Sequence, residues 1–326
     1  MKTAVGRQVV VALGDVEPDL VTGHLPPDVR FVAEPGPDDL RDAAGAIVRA
    51  DALVGAAMLD RMPNLRVLAR TGVGVERVDV AEATRRGVAV VVTPGTGTRA
   101  VAEGALAMVL HLVKRLGVTT ECVARGRWSE RGAITPGDLD GATIGIVGYG
   151  RIGQRLARRA RAFEMQILAI RRDVAQSAED DLDRLGGPEI LDEVLERSDY
   201  LVLTLPLTPA TRGLIGEAQL RSMKATAVLV NVSRADIVDE PALYRALAER
   251  RLAGAALDVW YRYPTDAVPT LPARHPFHEL SNVLMTPHIS GWTEGMMDAR
   301  AQLIADNITR VTRGEPPMNQ IPAVAK

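Results

Sequence analysis

The sequence predicts an α/β protein with two doubly wound parallel sheets, and three observations support this fold class. Short apolar, β-branched runs alternate with amphipathic helical segments along most of the chain. Hydrophobic residues make up 47% of the sequence but aromatic residues only 3%, so Ala, Val, Leu and Ile must form the core, as in parallel sheets covered by helices. The length of 326 residues exceeds the roughly 100 to 200 residues of one domain and favours two.

Composition and charge exclude several functions. The formal net charge is −2 without a basic block, which argues against binding to nucleic acid or to an anionic membrane. The single cysteine, Cys122, excludes an intramolecular disulfide and a cysteine-built metal site, and the five histidines lack metal-ligand spacing. No apolar stretch reaches the ~18 residues that cross a bilayer, and the N-terminal residues lack a signal-peptide core. We therefore expect a cytoplasmic protein that needs no metal.

Residues 1–100 are predicted to form a first, flavodoxin-like parallel-sheet domain. The segment Asp38–Ala44 has a helical pattern, and the last helical segment, Glu294–Arg313, is expected to return here, so that this domain comprises residues 1–100 and 293–326. The candidate strands are the short apolar runs Val9–Leu13, Val29–Ala33, Ala52–Gly55, Leu65–Arg70 and Val88–Val92. The glycine-rich segment Arg70–Val75 is either a strand-end turn or a loop whose backbone N–H groups hold an anion.

Residues 101–292 are predicted to form a six-stranded Rossmann domain around a glycine-rich turn. A β-branched run, Thr143–Val147, precedes glycines at 148, 150 and 153, which a helical pattern and a second strand follow. This is the G-x-G-x-x-G dinucleotide fingerprint in its strand–turn–helix context. Gly148 allows the tight turn, Gly150 admits a pyrophosphate to the backbone and the helix N-terminus, and Gly153 permits close helix packing. Glycine triplets also occur in ordinary turns, so the flanking elements carry this interpretation.

Ligands of such sheets bind at the carboxyl ends of the strands, where the second domain places several polar residues. Arg234 follows a strand, and its guanidinium fork suits a carboxylate or a polarised carbonyl; the alternative is a surface arginine. His288 lies in a turn after the last strand and suits proton exchange with a hydroxyl near neutral pH; the alternative is a structural histidine. Thr204, Ser233 and Asp258 occupy equivalent strand ends.

Several segments, in order along the chain, resemble the D-isomer-specific 2-hydroxyacid dehydrogenases, the family of the D-3-phosphoglycerate, glyoxylate/hydroxypyruvate, formate and phosphite dehydrogenases. The resemblance extends over about residues 60 to 320. The segments that carry it are residues 70–79, 101–103, 148–153, 204–216, 231–239, 256–259 and 286–291. It implies an NAD(P)-dependent oxidoreductase that interconverts a small-molecule 2-oxo acid and a D-2-hydroxy acid by hydride transfer. Residues 1–100 with 293–326 would form its substrate, or catalytic, domain.

The resemblance also implies roles for individual residues. Arg234 would bind the substrate carboxylate and polarise the 2-oxo group, His288 would act as the acid/base, and the N–H groups of Val73 and Gly74 would bind the carboxylate. Asp258 would position the nicotinamide carboxamide. The implied cofactor-binding residues are Gly148, Gly150, Arg151, Ile152, Gly153, Leu205, Pro206, Val232, Ser233, Asp258 and Gly291. A homodimer is implied, with residues 101–116 and 261–277 at its interface.

Tyr263 is the first departure from the family pattern, because it stands where the family has a Glu that pairs with the catalytic His. A neutral phenol does not raise the pKa of His288 as a carboxylate does, and Asp266 and Glu294 are the alternative carboxylates. The departure leaves open a nucleotide-sensing protein that resembles the related corepressors and has vestigial activity. A dehydrogenase of an unusual donor, such as phosphite or formate, is a further alternative.

The second departure concerns the cofactor. The acidic residue that bonds the ribose 2′-hydroxyl in NAD-dependent enzymes is expected at the end of the second strand, where Arg171 and Arg172 stand instead. A guanidinium attracts a 2′-phosphate, which favours NADP(H); Asp173 keeps NAD(H) possible. A third departure is the apolar loop of residues 54–58, which lacks a cationic side chain and favours a small or apolar 2-oxo acid.

Overall fold

The structure is a computed structural model that describes residues 8–14, 16, 19–49, 52–174, 182–263 and 270–322. The chain divides into two compact units. Unit 1 comprises residues 1–97 and 293–326, and unit 2 comprises residues 98–292. Each unit is built on a parallel sheet, which confirms the predicted fold class.

Unit 1 contains a five-stranded parallel sheet in the order β2-β1-β3-β4-β5. Its strands are β1 (Gln8–Leu13), β2 (Val29–Val32), β3 (Ala43–Val48), β4 (Val67–Arg70) and β5 (Ala89–Val91). The helices of the chain are α1 (Asp19–Thr22), α2 (Pro37–Asp42), α3 (Ala56–Asp60), α4 (Val80–Arg85), α5 (Thr98–Val113), α6 (Leu116–Ala124), α7 (Arg151–Arg161), α8 (Leu191–Arg197), α9 (Glu217–Ser222), α10 (Glu240–Ala248) and α11 (Glu294–Thr312). Helix α11 packs on β3 and β4 within unit 1.

The third strand of unit 1 differs from the sequence prediction. The strand is Ala43–Val48, whereas Ala52–Gly55 forms only an isolated bridge from Val54 to Val78. Alanine and glycine at the start of this segment have low strand propensity, but all six of its residues are buried between β1 and β4. Tertiary pairing therefore decides its conformation.

Unit 2 contains a seven-stranded parallel sheet in the order β12-β11-β10-β9-β6-β7-β8. Its strands are β6 (Thr143–Val147), β7 (Gln166–Ile170), β8 (Arg184–Gly186), β9 (Tyr200–Leu203), β10 (Val228–Asn231), β11 (Gly254–Leu257) and β12 (Val283–Met285). The prediction of six strands was wrong, because the sheet also contains the edge strand β8, which is only three residues long and has no apolar run in the sequence. It pairs with β7 through Leu168, Ala169 and Ile170.

The strand order places the ligand-binding edge of unit 2. The chain proceeds from β6 outward through β7 and β8, then returns to the other side of β6 with β9. This reversal is the topological switch point at which doubly wound sheets bind ligands. The Thr204 hydroxyl, just after β9, donates to the Gly148 carbonyl, just after β6, at 2.8 Å. Among the described residues, no helix is both long and apolar enough to cross a membrane.

Candidate active site

Two of the three glycines in the turn after β6 are required by the packing of the surrounding chain. Gly148 has a φ of +109°, and a Cβ there would lie 2.7 Å from the backbone nitrogen of Leu205. A Cβ on Gly153 would lie 2.6 Å from the Gly148 carbonyl oxygen. The first glycine therefore permits the tight turn, and the last lets α7 pack against it.

Gly150 has a different reason to lack a side chain. No atom lies within 4 Å of the position that its Cβ would occupy, and it immediately precedes the first residue of α7, Arg151. The missing side chain leaves open space in front of the unpaired N–H groups of a helix N-terminus. This cradle fits the pyrophosphate of a dinucleotide, with Arg151 exposed and Ile152 half-buried at its rim.

Arg171 and Arg172 follow β7 at the same edge of the sheet. The Arg171 N–H donates to the Gly186 carbonyl at 2.9 Å, which fixes the backbone at the strand end. Arg171 is partly exposed and Arg172 is exposed. Over the described parts of the chain, neither guanidinium makes an ion pair or a side-chain hydrogen bond. Both are therefore available to an anion at this position.

Arg234 is presented by a short turn after β10 that the Asn231 side chain organises. The Asn231 Nδ2 donates to the Arg234 carbonyl at 3.0 Å, and its Oδ1 accepts from the Ser233 N–H and hydroxyl at 3.0 Å each. Val232 and Ser233 are buried, whereas Arg234 is exposed. The Arg234 Nη1 donates to the Ser233 carbonyl at 2.7 Å, which orients its guanidinium.

His288 is held by a buried carboxylate. Asp258, which follows β11, is 0% exposed, and its Oδ1 accepts from the Thr286 hydroxyl at 2.6 Å and the Ile289 N–H at 3.0 Å. Its Oδ2 accepts from the Ser290 N–H at 3.0 Å. These bonds enclose His288, whose backbone has a φ of +58°. A positive φ is rare for residues other than glycine. The three hydrogen bonds that Asp258 accepts from residues 286, 289 and 290, here called the Asp258 clamp, maintain this backbone conformation.

The Nδ1 of His288 lies 2.9 Å from the Tyr263 hydroxyl oxygen. This oxygen also accepts from the Trp260 N–H at 3.3 Å, and it can accept a second hydrogen bond from the Nδ1–H of His288. With Nδ1 engaged in this way, Nε2 is the ring nitrogen that can exchange a proton. Asp266 lies outside the described residues, and Glu294 begins α11 in unit 1.

The charges around His288 act in opposite directions on its pKa. Burial of the imidazole is the largest cause and lowers the pKa of His288 below 6.5. The Asp258 carboxylate opposes this shift, and the positive charge of Arg234 adds to it. Burial also raises the pKa of Tyr263, so the phenol stays neutral near pH 7. His288, Tyr263, Asp258 and Arg234 therefore form one electrostatically coupled cluster in unit 2.

The loop Thr71–Gly74 follows β4 in unit 1 and is organised by a buried cation. Arg70 is only 4% exposed; its Nε donates to the Gly74 carbonyl at 2.7 Å, and its Nη1 donates to the carbonyls of Val48 and Arg49. Val73 is about half exposed. The position of Arg70 at a strand end does not reveal this role in the sequence, because the acceptors of its hydrogen bonds lie at the end of another strand and within the loop.

The remaining predicted residues lie near the elements already described. Leu205 is half-buried and Pro206 exposed directly after β9, and Gly291 is half-buried after the Asp258 clamp. The structure thus brings His288, Tyr263, Asp258 and Gly291 close together in unit 2. It also places Gly148 against the backbone of Leu205. Sequence reasoning missed Thr286 and Trp260, whose contacts with Asp258 and Tyr263 depend on folding.

Known proteins of one family are similar to this chain. The family model of the NAD binding domain of D-isomer specific 2-hydroxyacid dehydrogenases matches residues 106–290. A glyoxylate reductase of Thermococcus gammatolerans is 38% identical over 286 residues, which are 86% of this chain and 83% of the relative. These matches confirm the resemblance seen in the sequence and do not favour the alternatives of a nucleotide sensor or of an unusual donor.

Solved structures show the same fold. A 2-hydroxyacid dehydrogenase from Ketogulonicigenium vulgare aligns with a TM-score of 0.83 at 28% identity, over 98% of this chain and 99% of that one. An NADPH-dependent glyoxylate/hydroxypyruvate reductase from Sinorhizobium meliloti, in complex with NADP and malonate, aligns with a TM-score of 0.78 at 29% identity, over 97% of each chain.

Proposed function

This chain belongs to the D-isomer-specific 2-hydroxyacid dehydrogenase family and is a nicotinamide-dependent oxidoreductase of 2-oxo and D-2-hydroxy acids; on this premise, we propose that it is an NADP(H)-dependent 2-oxo acid reductase that uses Arg234 and His288. The observation that carries the proposal is the His288–Tyr263 pair, which the Asp258 clamp fixes within reach of the Arg234 charge. The relative named glyoxylate reductase supports a 2-oxo acid as the substrate.

A bound dihydronicotinamide would supply the hydride that reduces the carbonyl carbon of the acid. Arg234 binds the carboxylate and stabilises the negative charge that develops on the carbonyl oxygen. His288, protonated, transfers the proton from its Nε2 to that oxygen, and the product is the 2-hydroxy acid. Tyr263 accepts the hydrogen bond from the Nδ1–H of His288 before and after the transfer, because the proton that leaves is the one on Nε2. The N–H groups of Val73 and Gly74 are proposed to bind the carboxylate.

The proposed cofactor-binding residues surround the glycine-rich turn. Backbone groups at Gly150, Arg151 and Ile152 meet the pyrophosphate, and Gly148 and Gly153 shape the turn. Leu205, Pro206, Val232, Ser233 and Gly291 line the remaining path of the dinucleotide, with Val232 and Ser233 acting through their backbone because their side chains are buried. The Asp258 oxygens are already bonded to the clamp, so Asp258 also positions His288.

The assay of this function follows the loss of reduced nicotinamide absorbance with glyoxylate, hydroxypyruvate and phenylpyruvate, each with NADPH and with NADH. We expect turnover with at least one acid. Nucleotide binding without turnover of any acid would refute the reductase.

Arg171 and Arg172 are proposed to bind the 2′-phosphate of NADP(H), because both guanidinium groups stand at the end of β7 without an ion pair among the described residues. Replacing both by alanine should raise the KM for NADPH about tenfold or more and leave the KM for NADH nearly constant. Arg158→Ala, an exposed arginine on α7, is the matched control. A wild-type preference of tenfold for NADH would contradict the assignment.

A homodimer is proposed as the assembly. The first predicted interface segment is 101–116. Apolar side chains are exposed at its end and beyond it, namely Leu116, Val118, Val123 and Trp128, and such a patch on a globular protein favours a partner surface. The Pro-rich segment 261–277, whose residues 264–269 lie outside the described ones, is the other predicted interface. Light scattering should give twice the 35.0 kDa mass, and Val123→Glu should reduce it; a monomeric wild type would refute the dimer.

A further inference from the structure

Arg300, on α11 of unit 1, is a partly buried cation without a counter-ion among the described residues. Its Nε is buried and has no hydrogen-bond partner. Across the ranges that the structure describes, its guanidinium makes no ion pair. A partly buried positive charge without an anion is unfavourable, and the fold offers no structural reason for this one. Such a group is a candidate for ligand binding.

Two contacts determine where Arg300 lies along the sheet. Thr312 lies at the end of α11, and its carbonyl accepts from the Arg66 Nη1 at 3.0 Å. Arg66 immediately precedes the first residue of β4. One turn earlier, Ile308 packs 3.5 Å from the Cβ position of Gly45, and Gly45 pairs with Val67, the first residue of β4. Moving back along α11 therefore means moving forward along β4.

The residue spacing along α11 and β4 places Arg300 level with the loop Thr71–Gly74. From Thr312 to Arg300 the helix advances about 18 Å at 1.5 Å per residue. From Arg66 to Thr71 the strand direction covers about 17 Å at 3.3 Å per residue. Arg300 thus stands beside the carboxyl end of β4, where the loop Thr71–Gly74 begins. This is the edge at which a parallel α/β sheet binds its ligands.

Other cations occupy the same edge. Arg70 closes β4, and its Nη1 donates to the carbonyl of Arg49, which follows β3. Burial is the larger cause that lowers the pKa of Arg300, and the positive charge of Arg49 adds to it. Arg49 is therefore close enough to repel Arg300. Whereas Arg70 donates to three carbonyls of the chain, the Arg300 fork has no such acceptors.

We propose that Arg300 binds a second anionic group of the 2-oxo acid, so that this enzyme prefers 2-oxo acids that carry a carboxylate or phosphate at the far end. The inference rests on the proposed function, in which Val73 and Gly74 of the same edge bind the first carboxylate. A planar guanidinium with two outer nitrogens suits bidentate contact with either group. The loop 54–58 is apolar and by itself favours a small or apolar acid. Arg300 supplies from α11 the positive charge that this loop lacks, so the proposal replaces that expectation with an acid that is charged at both ends.

Matched substrate pairs test the proposal. The first pair is 2-oxoglutarate and 2-oxopentanoate, which differ only by a terminal carboxylate in place of a methyl group; the second is phosphohydroxypyruvate and hydroxypyruvate. For each pair we take the ratio of kcat/KM for the doubly charged acid to that for the singly charged one. We expect the ratio to exceed about ten for at least one pair, and the pair that shows it identifies carboxylate or phosphate.

Substitution of Arg300 should abolish this selectivity. Arg300→Met keeps the length of the side chain and should lower the ratio about tenfold or more, while Arg300→Lys should restore part of it. Arg313→Met, an exposed arginine just beyond α11, is the control and should leave the ratio unchanged. Arg300→Met should also raise Tm, since it removes a partly buried unpaired charge.

The outcomes separate this proposal from the proposed function. If singly charged acids turn over and the ratio is near one in the wild type, or is the same in Arg300→Met, the Arg300 site is refuted and the reductase stands. If no acid turns over, the reductase is refuted, and calorimetric titration with 2-oxoglutarate and 2-oxopentanoate still decides the binding site. A lower Tm of Arg300→Met with an unchanged ratio would assign Arg300 a packing role.

Discussion

The two units differ in whether the chain itself provides hydrogen-bond partners for the charged residues at the carboxyl edge of the sheet. In unit 2, the buried Asp258 is satisfied by donors of the chain, and the result is a fixed His288. In unit 1, Arg70 is satisfied by carbonyls but Arg300 is not. The difference fits the proposed roles: the groups proposed to act on the reacting atoms are preorganised by the chain itself, whereas Arg300, proposed to select the ligand, has no partner among the described residues.

The largest effect expected in unit 2 is that of His288→Ala. General acid–base catalysis contributes about 10²- to 10⁴-fold, so kcat should fall by this factor. The affinity for the nucleotide, measured by fluorescence titration, should change little because the glycine-rich turn is untouched. His278→Ala removes an exposed histidine of the same unit and should retain full activity. A kcat near that of the wild type would exclude His288 as the acid.

Asp258→Asn tests whether the clamp preorganises His288. An amide has one acceptor oxygen and cannot satisfy all three donors, so residues 286–290 should lose their fixed backbone. We expect kcat to fall about 10²-fold and Tm to decrease, because bonds to a charged group contribute about 1.5–3 kcal/mol each.

The kinetic signature separates two roles of Asp258. Loss of its negative charge lowers the pKa of His288 further, so the pH at which reduction declines should also fall. If only the KM for the nucleotide rises, Asp258 acts through the nicotinamide and not through the clamp. Asp140→Asn, at an exposed position, is the control.

Arg70→Met tests the satisfied cation of unit 1. The substitution leaves the carbonyls of Gly74, Val48 and Arg49 without this donor, and each lost bond to a charged group contributes about 1.5–3 kcal/mol. Denaturant unfolding should show reduced stability, and the KM for the 2-oxo acid should rise as the loop Thr71–Gly74 loses its support. Arg70→Met should therefore lower Tm, whereas Arg300→Met should raise it; equal shifts would remove the contrast between the two arginines.

The contrast also explains what the sequence could and could not predict. The fingerprint glycines were predictable because part of their requirement is local: Gly148 has a φ of +109°, and Gly153 faces the Gly148 carbonyl of the same turn, whereas the contact of Gly148 with Leu205 arises only on folding. Strand β3 was not predictable, because Ala-Ala-Gly-Ala becomes a strand only by pairing between β1 and β4. The edge strand β8 is too short to show a pattern.

Side-chain contacts over long sequence separations account for the rest of the site. The sequence indicated Asp258 and His288 as strand-end residues, but the donors to Asp258 come from positions 286, 289 and 290. Arg300 is one of several arginines on amphipathic helices, and only the position of α11 on β3 and β4 distinguishes it. Its missing counter-ion is a property of the fold and has no signature in the local sequence.

The smallest effect concerns the pH range set by Tyr263. Reduction requires charged His288, so kcat/KM for reduction should be constant at low pH and decline as the pH rises through the pKa of His288, which lies below 6.5. Oxidation of the hydroxy acid requires neutral His288 and should show the opposite dependence. Tyr263→Glu places a carboxylate at Nδ1, which raises the pKa of His288.

In Tyr263→Glu, the decline of the reduction rate should therefore move upward by about one pH unit or more, and reduction at pH 7 should become several-fold faster. Tyr263→Phe keeps the ring but removes the contact with Nδ1 and Trp260, so kcat should fall several-fold without an upward shift. Tyr244→Phe, which alters a tyrosine stacked on His275, is the control. An identical pH profile in all three variants would show that Tyr263 does not set the protonation of His288, and that the clamp alone, with its buried carboxylate, governs the acid.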